Sequence, residues 1–202
     1  MGKHGVEYAR VARDLYPTPA WITEELLRHF DLTKTTVWEP AAGKGDMVSY
    51  LRDSGVWVVA TDIADYGFPL AAVMDFTNGQ LPPAPFQAIV TNPPGGLGNR
   101  LAEKFICTGL RHLDHGAHLL ALLLSTDFDS AKTRSVFFAD CPTFMAKIVL
   151  RERAVWFERN DGVREAPREN HAWYVWQRTL LKTRTPPILL YGPELPVERL
   201  AP

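Results

Sequence analysis

The sequence predicts a single α/β domain built on a doubly wound, mostly parallel sheet, with antiparallel strands toward its C-terminal end. Three observations predict it. Apolar runs of strand length alternate with segments of helical periodicity between about residues 19 and 124. A Gly-x-Gly turn, Gly43-Lys44-Gly45, follows the first expected strand, and Asp62 ends the second apolar run 17 positions after Gly45. Four polar side chains, Glu39, Asp62, Asn92 and Ser125, fall at the carboxyl ends of expected strands, where open parallel sheets bind their ligands.

The elements follow in order. Residues 1–15 carry no strong pattern and read as an N-terminal arm. Tyr16-Pro17-Thr18-Pro19 is extended, because each proline disfavours helix in the residue before it. Thr18 is placed to cap a helix over about 19–30, with Pro19 at its first position and Trp21, Ile22, Leu26, Leu27 and Phe30 at helical spacing. Thr35 to Glu39 is the first strand, and the glycine turn opens a helix from about Asp46 to Ser54 that Gly55 stops. Trp57 to Thr61 is the second strand, and a short apolar piece precedes Asp75-Phe76. The prolines of residues 81–85 exclude regular structure there. Gln87 to Thr91 is a buried strand, Leu101 to Leu113 a helix, and His118 to Leu124 a strongly apolar strand. Beyond Pro142, residues 144–150, 155–157 and 171–176 read as strands around a charged loop that turns at Asn160-Asp161-Gly162. The domain therefore covers 16–184, followed by a Pro-rich, mostly non-helical tail over 185–202 that packs or wanders.

Composition excludes several classes. An apolar share of 46% with 22% charged residues is that of a globular chain, and no run of 18 apolar residues exists to span a bilayer. Cys107 and Cys141 give neither a disulfide framework nor metal-ligand spacing, so no metal is expected. The start lacks a signal-peptide core, and a cytoplasmic protein is the expectation. The net charge of −1 conceals an asymmetry. Residues 1–131 carry 10 Lys/Arg against 15 Asp/Glu, whereas residues 132–184 carry 11 against 6. One half suits a cationic ligand and the other a polyanion.

The glycine turn narrows the ligand. A dinucleotide fingerprint requires a third glycine at position 48, which is Val48, and Glu39 and Asp46 flank the loop with negative charge. A pyrophosphate is repelled there, while a ligand with an ammonium and a sulfonium is not. The order Glu39-Pro40-Ala41-Ala42-Gly43-x-Gly45, then Asp62, then Asp75-Phe76, then Asn92-Pro93-Pro94 resembles the class I S-adenosylmethionine-dependent methyltransferases. More narrowly, it resembles their amino-methylating branch, to which the DNA adenine-N6 enzymes belong. The resemblance covers about residues 16–176. It implies a Rossmann-like fold with S-adenosylmethionine as cofactor. Asp62 would then hold the ribose hydroxyls, with Gly43 and Gly45 against the methionine portion. Asp75 would sit near the adenine amine, with Ile63 and Phe76 flanking the ring. Tyr16 and Thr18 would close over the methionine end, beside Glu39 and Ala41.

Asn92-Pro93-Pro94 is the expected catalytic motif. An exocyclic amine is a poor nucleophile, and acceptors aimed at its N–H bonds hold it in line and stabilise its developing charge. An Asn side-chain oxygen and a carbonyl beside proline supply them. The family places an aromatic ring next, and here that position is Gly95. Phe128, Trp156, Phe157 or Trp173 are candidates for a substitute ring, with Arg164 and Arg168 in the charged loop as substrate contacts. The leading expectation is a nucleic-acid base N-methyltransferase, adenine N6 in DNA first among the choices. DNA enzymes of this order usually carry a target-recognition domain, and 202 residues leave no room for one, so either specificity is low or a partner protein supplies it. The alternatives are a protein glutamine N-methyltransferase and a binding module that has lost catalysis.

Overall fold

The computed structural model describes residues 15–156, 169–178 and 187–193. In chain order these form α1 (Ala20–His29), β1 (Thr36–Glu39), α2 (Asp46–Asp53), β2 (Trp57–Asp62), β3 (Ala72–Val73) and β4 (Ala88–Thr91). Then come α3 (Arg100–Asp114), β5 (Leu119–Ser125), β6 (Phe144–Leu150), β7 (His171–Gln177) and β8 (Ile188–Gly192). The strands make one sheet in the order β3-β2-β1-β4-β5-β7-β6-β8. Strand β7 pairs antiparallel with both β5 and β6, and every other pairing is parallel. The α/β class and the mostly parallel sheet expected from the sequence are therefore present.

Burial on both faces explains why β5 reads as an unbroken apolar run, Leu119-Leu-Ala-Leu-Leu-Leu. Alternate side chains serve opposite layers. Leu120, Leu122 and Leu124 pack with Trp38, Phe105 and Ile106 on the α3 side. Leu119, Ala121 and Leu123 pack with Ile22, Leu26, Met47 and Leu51 on the side of α1 and α2. The order in which strands are added reverses between the parallel neighbours β1 and β4, which adjoin in space although β2 and β3 intervene in sequence. That switch point opens the crevice in which the site lies.

Three elements depart from expectation. Pro19, not Thr18, stands at the N-terminal cap of α1, and no side chain caps the helix. Residues 155 and 156 are not in a strand. The pairing of β6 ends with Val149 opposite Ala172 on one side and Leu150 opposite Gly192 on the other, short of these residues. Conversely, Ile188–Gly192 of the Pro-rich tail adds β8 beside β6. The Arg151 N–H donates to the Gly192 carbonyl at 2.7 Å and its guanidinium to the Pro193 carbonyl, which ties the added strand down. Both cysteines are free, Cys141 buried and Cys107 half-buried. Among the described residues no helix is long and apolar enough to cross a membrane.

Candidate functional site

Local backbone geometry shapes the first wall. Residues 39–45 leave β1 and return into α2 through two left-handed glycines, Gly43 at φ 55° and Gly45 at φ 87°. Side-chain carboxylates hold the turn from within. Glu39 Oε1 accepts from the Ala41 N–H at 3.0 Å. Asp62 Oδ2 accepts from the Gly43 N–H at 2.8 Å, and its Oδ1 from the Ala64 N–H at 3.2 Å. The end of β2 thus props up the loop after β1. A Cβ on Gly43 would come within 2.9 Å of Leu15 Cδ1, so the absence of one lets the Leu15 side chain pack against the turn.

Gly45 has a different task from the one expected. It does not line the cavity; a Cβ there would lie 2.1 Å from the Phe68 ring, and its absence lets that ring pack under the turn. Asp75 follows β3 and accepts from the Thr77 N–H and hydroxyl through Oδ1, at 2.8 and 2.7 Å. That fixes the carboxylate and leaves Oδ2 for a ligand. Phe76 is buried against Trp38 and Phe105, with ring centroids 4.9 Å away in each case, and forms the floor. Ile63, 59% exposed, stands at the rim.

These pieces enclose a cavity of about 290 Å³ at the carboxyl ends of β1, β2 and β4. Of the expected site residues, Tyr16, Thr18, Glu39, Ala41, Gly43, Asp62, Ile63, Asp75, Phe76, Asn92 and Pro94 line it. Its lining carries the carboxylates of Glu39, Asp46, Asp62 and Asp75 against one cation, Lys44. Burial pushes the Glu39 carboxyl up to about 8, since water is excluded from a side chain 1% exposed.

At the far end, Asn92 Nδ2 donates to the Thr18 hydroxyl at 3.1 Å. Thr18 therefore orients the amide across 74 residues of sequence rather than capping α1. No donor among the described residues meets Asn92 Oδ1. Pro93 is buried behind it. The Gly95 carbonyl accepts from the N–H groups of Leu101 and Ala102 at 3.1 and 3.4 Å, which turns the Asn-Pro-Pro loop directly into α3.

The candidate rings separate sharply. Phe128 is 2% exposed, and the Arg134 guanidinium covers its face at 4.0 Å, held there by Glu103 at 2.8 Å. The segment after β5 is folded down because the Lys147 ammonium and the Tyr174 hydroxyl both donate to the Thr126 carbonyl and to Asp129. Phe128 is thus part of the core, not of the substrate mouth as expected. Trp173 is fully buried, its indole N–H donating to the Ile22 carbonyl at 2.7 Å. Trp156 remains half-buried beside Tyr16, with centroids 6.0 Å apart, and meets His171 edge-on at 5.0 Å. Phe157, Arg164 and Arg168 lie outside the described residues.

Sequence reasoning missed Leu15, Tyr66, Met74, Leu101 and Phe105 among the lining residues. Leu101 and Phe105 lie one helical turn apart on α3, and that spacing was the signal available for them. The other three carry no local pattern.

No family model matches the chain, and no curated protein matches it in sequence. Solved structures do match its fold. One is a protein of Listeria monocytogenes described as a candidate class I S-adenosylmethionine-dependent methyltransferase, at 13% identity and a TM-score of 0.54, covering 94% of this chain and 68% of that one. Another, from Pyrococcus horikoshii, is described as a candidate RNA methyltransferase, at 12% identity and a TM-score of 0.63, covering 87% and 92%. A third is a modification subunit of a candidate type I restriction enzyme from Vibrio vulnificus, at 14% identity and 0.53, where this chain's 81% covers 44% of that chain. The fold is the class I methyltransferase fold, with β7 inserted antiparallel between β5 and β6 and with β8 added at the edge.

Proposed function

We propose that the chain transfers the methyl group of S-adenosylmethionine to an exocyclic amine of a nucleic-acid base, with adenine N6 in DNA first among acceptors. The observation that carries this reading is Asn92. Its amide is pinned by Thr18 at the edge of an acidic cavity, and among the described residues no donor occupies its Oδ1, which can accept an N–H.

The residues present fit the cofactor. Three carboxylates and a Glu39 carboxyl that burial keeps protonated, set against one lysine, favour a ligand with an ammonium and a sulfonium and oppose a dinucleotide's pyrophosphate. Gly43 lines the cavity with backbone in a left-handed conformation that favours glycine. Asp62 would take the ribose hydroxyls, Asp75 Oδ2 the adenine amine, and the buried Glu39 the amino end beside Ala41. Bound there, the cofactor supplies an electrophilic methyl on sulfur, open to in-line attack. The protein's share is orientation and electrostatics. Asn92 Oδ1 and the carbonyl in the Pro93 region accept the two N–H bonds of the target amine, aim its lone pair and stabilise its growing positive charge. Trp156, half-buried with its ring centroid 6.0 Å from that of Tyr16, is the described candidate to supply an aromatic face in place of the ring absent at Gly95. A base stacked on such a ring gains about 1–3 kcal/mol. Relatives in fold described as RNA methyltransferase and restriction-modification subunit support a nucleic-acid acceptor.

Gly95 also favours a second reading, a module that binds cofactor without catalysis. Transfer of labelled methyl from S-adenosylmethionine into single- and double-stranded DNA, RNA and whole-cell protein separates the readings. Incorporation into DNA that is released as N6-methyladenine supports the first. Incorporation into protein alone replaces the acceptor with an amide. Cofactor binding with no incorporation anywhere leaves the module.

A further inference from the structure

Leu97 is the most exposed large apolar side chain among the described residues, at 81%. Its setting makes that exposure informative. It sits between Pro94 and Leu101, both of which line the cavity, on the loop that leaves the Asn-Pro-Pro motif. The loop is built, not slack: the Gly95 carbonyl accepts from the Leu101 and Ala102 N–H groups, and the Gly96 carbonyl from the Asn99 N–H at 3.4 Å. A Cβ on Gly96 would lie 2.7 Å from Leu101 Cβ, so the turn closes only around a glycine. Three of its residues have left-handed φ, Gly96 at 65°, Gly98 at 60° and Asn99 at 63°. Asn99 is the one non-glycine with positive φ among the described residues. The two glycines adopt such φ freely, whereas for the non-glycine Asn99 it carries a cost and persists where surrounding structure imposes it. Here the outcome is a leucine turned out to solvent at the mouth of the pocket. Arg100 and Lys104 follow it on α3, both exposed.

We infer that Leu97 is a wedge: it enters the base stack of a duplex beside the target and fills the space left when the target base swings into the pocket. The inference rests on the reading of this site as one that methylates a base. An amine inside a duplex cannot reach Asn92 until its base leaves the stack, and unstacking costs a few kcal/mol. An apolar side chain inserted between bases offsets that cost by covering the exposed faces. Arg100 and Lys104 suit the phosphates on either side. Leu97 acts by positioning and touches no reacting atom.

The test compares labelled methyl transfer into native duplex genomic DNA and into the same DNA after heat denaturation. The native-to-denatured ratio is measured for the unaltered chain, Leu97→Ala and Leu97→Met. The ratio is expected to fall about tenfold in Leu97→Ala, because only paired targets need the wedge, and to recover most of the loss in Leu97→Met. An equal loss on both substrates, or no loss on either, overturns the wedge while leaving the methyltransferase reading standing. Failure of the unaltered chain to methylate either DNA overturns both. A Leu97→Ala chain with an unchanged ratio that no longer retains a co-purifying protein makes the tip a protein-docking point and likewise overturns the wedge.

Discussion

The two halves of the sheet are built by different means. In the half formed by β3, β2, β1 and β4, the carboxylates that hold the glycine turn bond near neighbours in sequence. Glu39 holds Ala41 two residues on, and Asp62 holds Gly43 across 19 residues. In the half formed by β5, β7, β6 and β8, comparable contacts span far more chain. Trp173 reaches Ile22 across 151 residues and Arg134 reaches Glu103 across 31, while Trp156 meets Tyr16 from opposite ends of the domain. A short motif can dictate a turn and its carboxylate props. It cannot dictate which of several aromatic side chains the rest of the fold leaves exposed. The cofactor half is thus written locally, and the acceptor half is an assembly.

Perturbing each half sharpens the contrast. Asp62→Ala removes a proposed ribose contact together with the prop for Gly43 and Ala64. Calorimetry is expected to show cofactor affinity lower by about 2–4 kcal/mol, from lost charge-assisted bonds. Unchanged affinity in a folded variant would remove Asp62 from the ligand. Asn92→Ala acts on the other side of the cavity. Single-turnover transfer should slow by about a hundredfold, with cofactor affinity nearly intact, as when one preorganised polar group is taken from a transition state. Equal loss of both would make Asn92 a structural residue, and the two halves would not be separable. Gly45→Ala tests the turn itself. With φ at 87° and Phe68 in the way, thermal unfolding should show a loss of about 1–3 kcal/mol, with cofactor affinity falling only as far as the turn shifts.

Glu39 adds a pH dependence. Its folded carboxyl titrates at about 8, against an ordinary value of 4.5. Between those values the folded chain keeps a proton that the unfolded chain has lost. Stability from this group is therefore full below the ordinary value and declines as pH rises through about 8. Melting temperatures of the unaltered chain should fall more steeply between about pH 5 and pH 8 than those of Glu39→Gln. Parallel curves would mean that Glu39 is ionised in the folded state.

The sequence-to-structure agreement follows the same division. Strands β1, β2, β4, β5, β6 and β7 and all three helices declare themselves through periodicity, because burial on one or both faces imposes it. Thr18 stands at a cap position in sequence, yet its hydroxyl bonds Asn92, a partner that only the assembled sheet brings near. Residues 155–157 have strand composition, but the pairing of β6 with its neighbours stops at Leu150, before 155 and 156. The strand β8 was hidden among prolines because its signal is a vacant edge beside β6 rather than anything in its own residues. Phe128 looked available at a strand end, and the Lys147–Asp129–Tyr174 network that folds it inward is invisible without tertiary structure. Gly45 reads as a ligand glycine by motif, while Phe68, 23 positions later, is what occupies its free side.

The cavity's ligand underlies every other step, and calorimetric titration tests it most directly. S-adenosylmethionine and a nicotinamide dinucleotide are titrated separately into the unaltered chain and into Asp62→Ala. The account predicts a single site for S-adenosylmethionine that Asp62→Ala weakens, and no binding of the dinucleotide to either chain. Absence of S-adenosylmethionine binding, or binding of the dinucleotide at equal strength, would contradict it.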